Sequence, residues 1–188
     1  MSNYYKVKQS VDEYIKMAEG HSGKDLIDKF RTFLSKGASI LELGTGPGTD
    51  WKILSKDFEV TGSDFSSEFL NRLKAKEPTA EFLELDASKL STDRKFDAIY
   101  SNKVLHHLSD EELKQSIRRQ AAILNTDGII CHSFWLGEGS ETFKGMYVNY
   151  HTAEELTKLF EYEFEIVLLE DYAEFEEGDS IILIGRKS

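Results

Sequence analysis

The chain of 188 residues has little of what marks secreted or membrane proteins. It contains one cysteine, Cys131, which excludes an internal disulfide framework and a multi-cysteine zinc site, and we expect no metal. No run of apolar residues exceeds four, whereas a membrane-spanning helix needs ~20. The first residues lack the apolar stretch of a signal peptide. We therefore expect a cytoplasmic protein with no membrane partner.

Basic residues are also scarce. The 23 Lys and Arg residues face 34 Asp and Glu residues, a net charge of −11. The excess is concentrated in residues 154–179, which hold eleven acids and one base. Because such a flank repels a phosphate backbone, we predict no nucleic-acid partner. The length predicts a single domain over residues 1–188, and the sequence leaves the oligomeric state open.

Apolar runs alternate with helical periodicity through the middle of the chain. The runs that predict strands span residues 38–43, 58–62, 80–85, 96–100 and 128–135. The segments between them place apolar residues three and four apart, and two capping boxes begin at Ser109 and Thr152. Strands that alternate with helices predict parallel strands joined by right-handed crossovers.

The C-terminal region departs from this alternation. Strand-like runs at 164–170 and 180–186 are separated by an acidic stretch of nine residues without helical periodicity, which predicts an antiparallel hairpin. The expected fold is α/β, a doubly wound, mostly parallel, seven-stranded sheet over residues 36–186 with a C-terminal antiparallel hairpin. Residues 1–22 precede the sheet and are expected to be helical. In such sheets ligands bind at the carboxyl ends of the strands.

A glycine-rich loop follows the first strand. Gly44, Gly46 and Gly48 stand at alternate positions, which permits a tight turn and close approach of a ligand to the backbone. The loop lacks the Lys of a P-loop, so a nucleoside triphosphate is disfavoured. The last glycine falls one residue too early for a dinucleotide fingerprint.

Carboxylates stand close to the same edge of the predicted sheet. Glu42 precedes the glycine loop, Asp64 follows the second strand, and Asp86 follows the third. A cluster of acids suits a ligand that carries hydroxyls, amines or positive charge, because a polyphosphate would be repelled. Asp64 can accept hydrogen bonds from both hydroxyls of a ribose, and Asp86 can accept one from an exocyclic amine.

With these residues in place, the sequence resembles the class I S-adenosylmethionine-dependent methyltransferases of the small single-domain type. The matching segments are ILELGTGPGTD, VTGSDFS, FLELDASKL, FDAIYSNKVLHHLS and GIICHSFW. The resemblance implies a Rossmann-like fold, S-adenosylmethionine as cofactor, and methyl transfer as the activity.

The resemblance also implies roles for individual residues. The three loop glycines would pass beneath the amino-acid end and the sulfonium of the cofactor. Asp64 would hold the ribose, Phe65 would pack on the adenine, and Asp86 and Ala87 would bind the adenine edge. Asn102 and Val104 would flank the methionine portion. Tyr4 and Tyr5, in the N-terminal segment, would belong to a lid.

Methyl transfer needs a general base only when the acceptor must lose a proton. His106 and His107 are the candidate bases, and the alternative role for this pair is to pack or orient the loop. The segment from Trp135 to Tyr150 predicts a mobile loop over the acceptor. The expected walls of the acceptor pocket are His132, Trp135, Phe143, Met146, Tyr147, Tyr150 and His151.

The size and the negative charge of the chain favour a small-molecule acceptor over a protein side chain. Two alternatives remain at this point. The chain could bind S-adenosylmethionine as a catalytically silent regulatory module, because no base is certain. A nicotinamide-dependent oxidoreductase is the third hypothesis, and the glycine spacing argues against it.

Overall fold

The computed structural model describes residues 8–17, 20–143 and 145–188. The strands are β1 Ser39–Leu43, β2 Glu59–Asp64, β3 Glu81–Glu84, β4 Phe96–Asn102, β5 Leu124–Trp135, β6 Ser140–Phe143, β7 Met146–Asn149, β8 Phe164–Tyr172 and β9 Ser180–Lys187. The α-helices are α1 Lys8–Met17, α2 Lys24–Phe30, α3 Thr49–Leu54, α4 Ser67–Lys76, α5 Asp110–Ile123 and α6 Ala153–Phe160. None of the helices in these described ranges is long and apolar enough to cross a membrane.

Seven strands form one sheet in the order β3-β2-β1-β4-β5-β9-β8. The first five pair in parallel, while β9 is antiparallel to both β5 and β8. The predicted doubly wound sheet with a C-terminal antiparallel hairpin is therefore confirmed. The chain leaves β1 toward β2 on one side and returns to β4 on the other, and this reversal opens a crevice at the carboxyl ends of β1 and β4.

Both faces of the sheet are covered because successive side chains of a strand point to opposite faces. Leu41 and Ile99 belong to the core on the side of α5 and α6. Their neighbours Ile40 and Tyr100 belong to the core on the side of α2. Cys131 lies in the second core, and burial raises the pKa of its thiol. It is an inert core side chain.

Local signals place the helix starts where the sequence predicts them. Ser109 and Thr152 each accept a hydrogen bond from the backbone amide three residues on, while the carboxylates of Glu112 and Glu155 accept one from the backbone amide of the capping residue. These reciprocal bonds satisfy amides that an α-helix leaves unpaired at its N-terminus.

The predicted mobile loop after Trp135 has a different structure. Residues 140–143 and 146–149 pair as the antiparallel hairpin of β6 and β7. Gly145 lies at the turn with a φ of 80°, the left-handed region that glycine adopts at little cost. A glycine between two short runs separated by two residues is the sequence signal that predicts such a hairpin.

Candidate functional site

The glycine loop begins at the carboxyl end of β1, and two of its glycines face the crevice. A Cβ on Gly44 would lie 2.5 Å from Cγ2 of Val104, so the loop can lie against the segment after β4 only without a side chain there. A Cβ on Gly46 would meet no heavy atom closer than 3.8 Å. Gly46 therefore leaves room in the crevice itself, where a ligand could approach the backbone.

Gly48 packs against a neighbouring helix. Its φ is 84°, it precedes α3 as the N-cap, and a Cβ there would lie 2.5 Å from Cδ2 of Leu73 in α4. Gly48 lines neither of the two cavities described below. This glycine permits close packing of two helices, and the role beneath a ligand stays a prediction.

The smaller of two adjoining cavities lies between the ends of β1, β2 and β3. Asp64, Phe65, Leu85 and Ala87 line it, as does Val104. Apolar walls beside the carboxylate of Asp64 suit a ring system that carries hydroxyls.

Asp64 is held firmly at this cavity. Its Oδ2 accepts a hydrogen bond from the Gly46 amide at 2.9 Å, and its Oδ1 accepts one from the Ser66 amide at 2.8 Å. Burial raises the pKa of Asp64, and these bonds oppose that shift. Because each carboxylate oxygen has a second lone pair, Asp64 can still accept hydrogen bonds from hydroxyls in the cavity.

Asp86 lies beside this cavity and does not line it. Its Oδ1 accepts from the backbone amide of Ser88 at 2.9 Å and from the Ser88 hydroxyl at 2.6 Å. These bonds make a local turn. The predicted hydrogen bond from an adenine amine to Asp86 stays a prediction.

The larger cavity has a volume of about 390 Å³ and opens beyond the glycine loop. Glu42 lines it and is 3% exposed. Its Oε2 makes no hydrogen bond with any described residue. Burial raises the pKa of Glu42 well above its usual range, and the charges of Asp50 and Asp64 add to the effect. A buried carboxylate in this state favours a cationic or hydrogen-bond-donating partner.

Asp50 organises the segment that leads into this cavity. Its carboxylate accepts from the amide of Gly23 at 2.7 Å, from the hydroxyl of Tyr100 at 2.9 Å and from the side-chain amide of Asn102 at 3.1 Å. Asn102 in turn accepts from the hydroxyl of Ser133 at 2.6 Å. Asn102 lines the larger cavity with its side-chain amide committed to this network.

His106 and His107 follow β4, with ring centroids 4.1 Å apart. His106 lines the larger cavity and His107 lines both. Nδ1 of His107 lies 2.7 Å from the carbonyl oxygen of Tyr147. Because a carbonyl only accepts, Nδ1 carries the proton and the neutral ring keeps its lone pair on Nε2. Burial lowers the pKa of both rings, so both are neutral near pH 7.

His132 and His151 lie outside the predicted pocket. His132 is fully buried, with Nδ1 2.8 Å from the Ser101 hydroxyl and Nε2 2.7 Å from the Gln120 side-chain oxygen. Since that oxygen accepts, Nε2 donates to it and Nδ1 accepts from Ser101. His151 is 2% exposed and packs edge-on against Phe134. Neither ring lines a cavity, and both predictions are corrected. His132 lies within β5, and its direction along that strand turns it into the core.

The other predicted wall residues lie where the acceptor was expected. Trp135, Met146 and Tyr150 line the larger cavity, and Tyr147 lines the smaller one. Of Phe143 only the backbone pairing in β6 is described. Tyr4 and Tyr5, predicted as lid residues, lie outside the described residues.

Tyr14 and Lys103 are among the cavity residues that were not predicted as site residues. Tyr14 of α1 lines both cavities and packs edge-on against Phe69 at 5.8 Å, and burial with nearby Asp64 raises its pKa to about 12. Lys103 also lines both. Its φ is 54°, an uncommon value for a residue other than glycine. Tyr14 could have been found from its helical spacing with Val11 and Ile15. Nothing in the sequence marks Lys103 as a cavity residue.

No three His, Cys, Asp or Glu side chains gather as a metal site within the ranges that the structure describes.

Comparison with known proteins agrees with this geometry. Residues 40–128, from β1 into β5, match the family model described as a methyltransferase domain. Several solved structures share the fold. One is the 1,6-didemethyltoxoflavin-N1-methyltransferase of Burkholderia thailandensis with S-adenosylhomocysteine bound, which has a TM-score of 0.80 and 20% identity over 94% of this chain and 83% of that chain.

Two further structures cover nearly all of the chain. The amino pentose methyltransferase CalS10 of Micromonospora echinaspora has a TM-score of 0.77 and 15% identity, over 95% of this chain and 97% of that chain. An S-adenosylmethionine-dependent methyltransferase of Clostridium acetobutylicum has a TM-score of 0.74 and 15% identity, over 94% of this chain and 98% of that chain. Neither the silent module nor the nicotinamide enzyme finds support here. Residues 40–128 thus match a methyltransferase domain, and the strand order and the loop at the end of β1 give the chain the fold that S-adenosylmethionine-dependent methyltransferases share.

Proposed function

We propose that the protein transfers the methyl group of S-adenosylmethionine to a small-molecule acceptor that binds in the larger cavity. The observation that carries the proposal is the pair of adjoining cavities on either side of Gly44 and Gly46, with Asp64 in one and Glu42 in the other. When bound, S-adenosylmethionine supplies an electrophilic methyl group on a sulfonium.

The residues at the crevice fit this cofactor. Glu42 offers a buried oxygen without a hydrogen-bond partner among the described residues, which suits the cationic amino group of a methionine. Gly46 leaves room at the backbone for the chain that joins the two ends of the ligand. Asp64 suits the ribose, and Phe65, Leu85 and Ala87 form an apolar site of the kind that an adenine requires.

His107 is the better placed of the two candidate bases. It lines both cavities, and the contact between its Nδ1 and the carbonyl oxygen of Tyr147 assigns the ring proton to Nδ1. His106 lies against it and lines only the larger cavity. Proximity and alignment of the acceptor are the main contributions expected of the remaining walls.

Three observations support a small acceptor. A volume of about 390 Å³ lies within the range of small-molecule sites, which is roughly 300–1,000 Å³. Glu141 and Glu174 at the mouth would repel a nucleic acid. Two of the similar structures are named for small acceptors, didemethyltoxoflavin and an amino pentose.

The experiment that tests the proposal follows a radioactive methyl group. The protein is incubated with labelled S-adenosylmethionine and, separately, with the metabolite, protein and nucleic-acid fractions of a cell extract. We expect label to move into metabolites and His107→Phe to reduce the rate at least tenfold. The proposal is overturned when label enters only protein or nucleic acid, or no fraction at all.

A further inference from the structure

The mouth of the larger cavity is lined by carboxylates from two different elements. Glu141 belongs to β6 and Glu174 to the turn between β8 and β9. The hydroxyl of Tyr150 donates to Glu141 at 2.5 Å and so fixes its side chain. A ligand that enters between them meets negative charge from both sides, which attracts a cation and repels an anion.

The turn that carries Glu174 is organised from within. The carboxylate of Asp179 accepts hydrogen bonds from the backbone amides of Glu174, Phe175 and Glu176 at 2.8, 2.8 and 2.9 Å. These bonds hold Glu174 and Phe175 at the mouth without a contribution from any ligand, so the binding surface is largely preformed.

Aromatic rings stand beside these carboxylates. Trp135 and Phe175 are nearly parallel, with centroids 5.8 Å apart and an angle of 20° between planes, and Phe175 is 67% exposed. Trp135 already interacts with an ammonium group, because Nζ of Lys103 lies 3.6 Å from its ring centre. Aromatic faces attract cations, so the rings and the carboxylates favour the same kind of ligand.

The one lysine that lines the larger cavity, within the described residues, has its charge turned into the wall. Nζ of Lys103 donates to the carbonyl of Phe134 at 2.9 Å and to the hydroxyl of Ser180 at 2.6 Å. It therefore does not offer a free positive charge that would bind an anionic acceptor.

The inner part of the cavity disfavours positive charge. Burial lowers the pKa of Lys103 to about 7, even though Glu174 and Asp179 act in the opposite direction. His106 is 3% exposed, and its Nδ1 makes no hydrogen bond within the described part of the chain. A buried ring nitrogen without a hydrogen-bond partner at a cavity wall suits a polar group of a bound ligand.

We propose that the acceptor is a basic amine, attracted as an ammonium ion at Glu141 and Glu174 and methylated on nitrogen next to His106 and His107. This inference rests on the proposed function and names its substrate class. The ammonium first gives a proton to a neutral imidazole. The nitrogen lone pair then forms the bond to the methyl carbon, while the carbon–sulfur bond breaks and its electron pair remains on sulfur.

The test uses three probes of one shape and different charge. Phenethylamine, 2-phenylethanol and 3-phenylpropionate are titrated by calorimetry at pH 7 into protein saturated with S-adenosylhomocysteine. We expect phenethylamine to bind at least tenfold more tightly than 2-phenylethanol, and 3-phenylpropionate to bind more weakly still. Glu174→Gln should reduce the preference for the amine at least threefold. Glu177→Gln is the matched control, because Glu177 is exposed in the same turn and lines neither cavity.

The inference is overturned when the alcohol or the acid binds as tightly as the amine, when no probe binds, or when Glu177→Gln matches the effect of Glu174→Gln. Binding of S-adenosylhomocysteine by the same preparation separates the two proposals. Protein that binds it without preferring the amine refutes this inference alone, whereas protein that does not bind it refutes the proposed function.

Discussion

Two glycines of one loop should respond differently to the same substitution. Gly46 and Gly48 have φ values of 52° and 84°, so alanine at either position costs ~1–2 kcal/mol of conformational strain. Only at Gly48 does the new methyl collide with a core side chain, at 2.5 Å from Leu73, which is 2% exposed. Overpacking of this kind adds ~1–3 kcal/mol.

The expected totals follow from these terms. Gly48→Ala should lower the free energy of unfolding by ~2–5 kcal/mol, and Gly46→Ala by only ~1–2 kcal/mol. Binding should show the reverse order, because the methyl at Gly46 projects into the crevice. We expect Gly46→Ala to weaken S-adenosylhomocysteine binding more than tenfold and folded Gly48→Ala to bind nearly as wild type does.

Urea denaturation and calorimetry on the same preparations measure both effects. Equal destabilisation by the two variants, or weaker binding in Gly48→Ala than in Gly46→Ala, would show that the assignment of the two glycines is wrong.

Three further predictions concern buried polar groups. Because folding raises the pKa of Glu42 above 4.5, the contribution of Glu42 to stability falls as pH rises above that value. Glu42→Gln should therefore gain stability over wild type increasingly as pH rises above 4.5, while it binds S-adenosylhomocysteine less tightly. Urea denaturation at a series of pH values measures the first effect, and no pH-dependent difference would contradict the burial argument. His132→Phe leaves Ser101 and Gln120 without their hydrogen-bond partner on the ring. It should lower the free energy of unfolding, measured by heat or urea, by ~1–3 kcal/mol and leave cofactor affinity unchanged. Weaker cofactor binding by the folded variant would argue against a purely structural role. Asp50→Ala removes the acceptor of three hydrogen bonds and should cost ~2–4 kcal/mol, and a loss below ~0.5 kcal/mol would show that its partners find other acceptors.

The order of elements could be predicted because it depends on local patterns. Apolar runs, helical spacing and the capping residues Ser109 and Thr152 act over a few residues, and the structure retains them. The sheet followed from the alternation of these elements. The hairpin of β6 and β7 was missed because its strands have four residues each, and so few positions show no clear period.

The sequence determines the position of a residue more directly at a strand end than where the direction of its side chain decides. Asp64 and Phe65 follow β2 directly, so their place at the crevice depends only on the sheet. His132 lies within β5, and whether it faced the crevice or the core depended on the strand register. Gly48 was predicted to bind the cofactor because it resembles the other two loop glycines. Its role in helix packing is visible only from its distance to Leu73 in the structure.

Calorimetric titration of S-adenosylhomocysteine tests the central claim most directly, with wild type compared to Asp64→Ala and Asp97→Ala. Asp97 is the matched control, because it also accepts hydrogen bonds, from Ser39 and Asn125, but at the amino end of β4. We expect wild type to bind, Asp64→Ala to lose ~1–3 kcal/mol of binding free energy, and Asp97→Ala to bind as wild type does. Absence of binding in wild type, or an equal loss in both variants, would contradict the account.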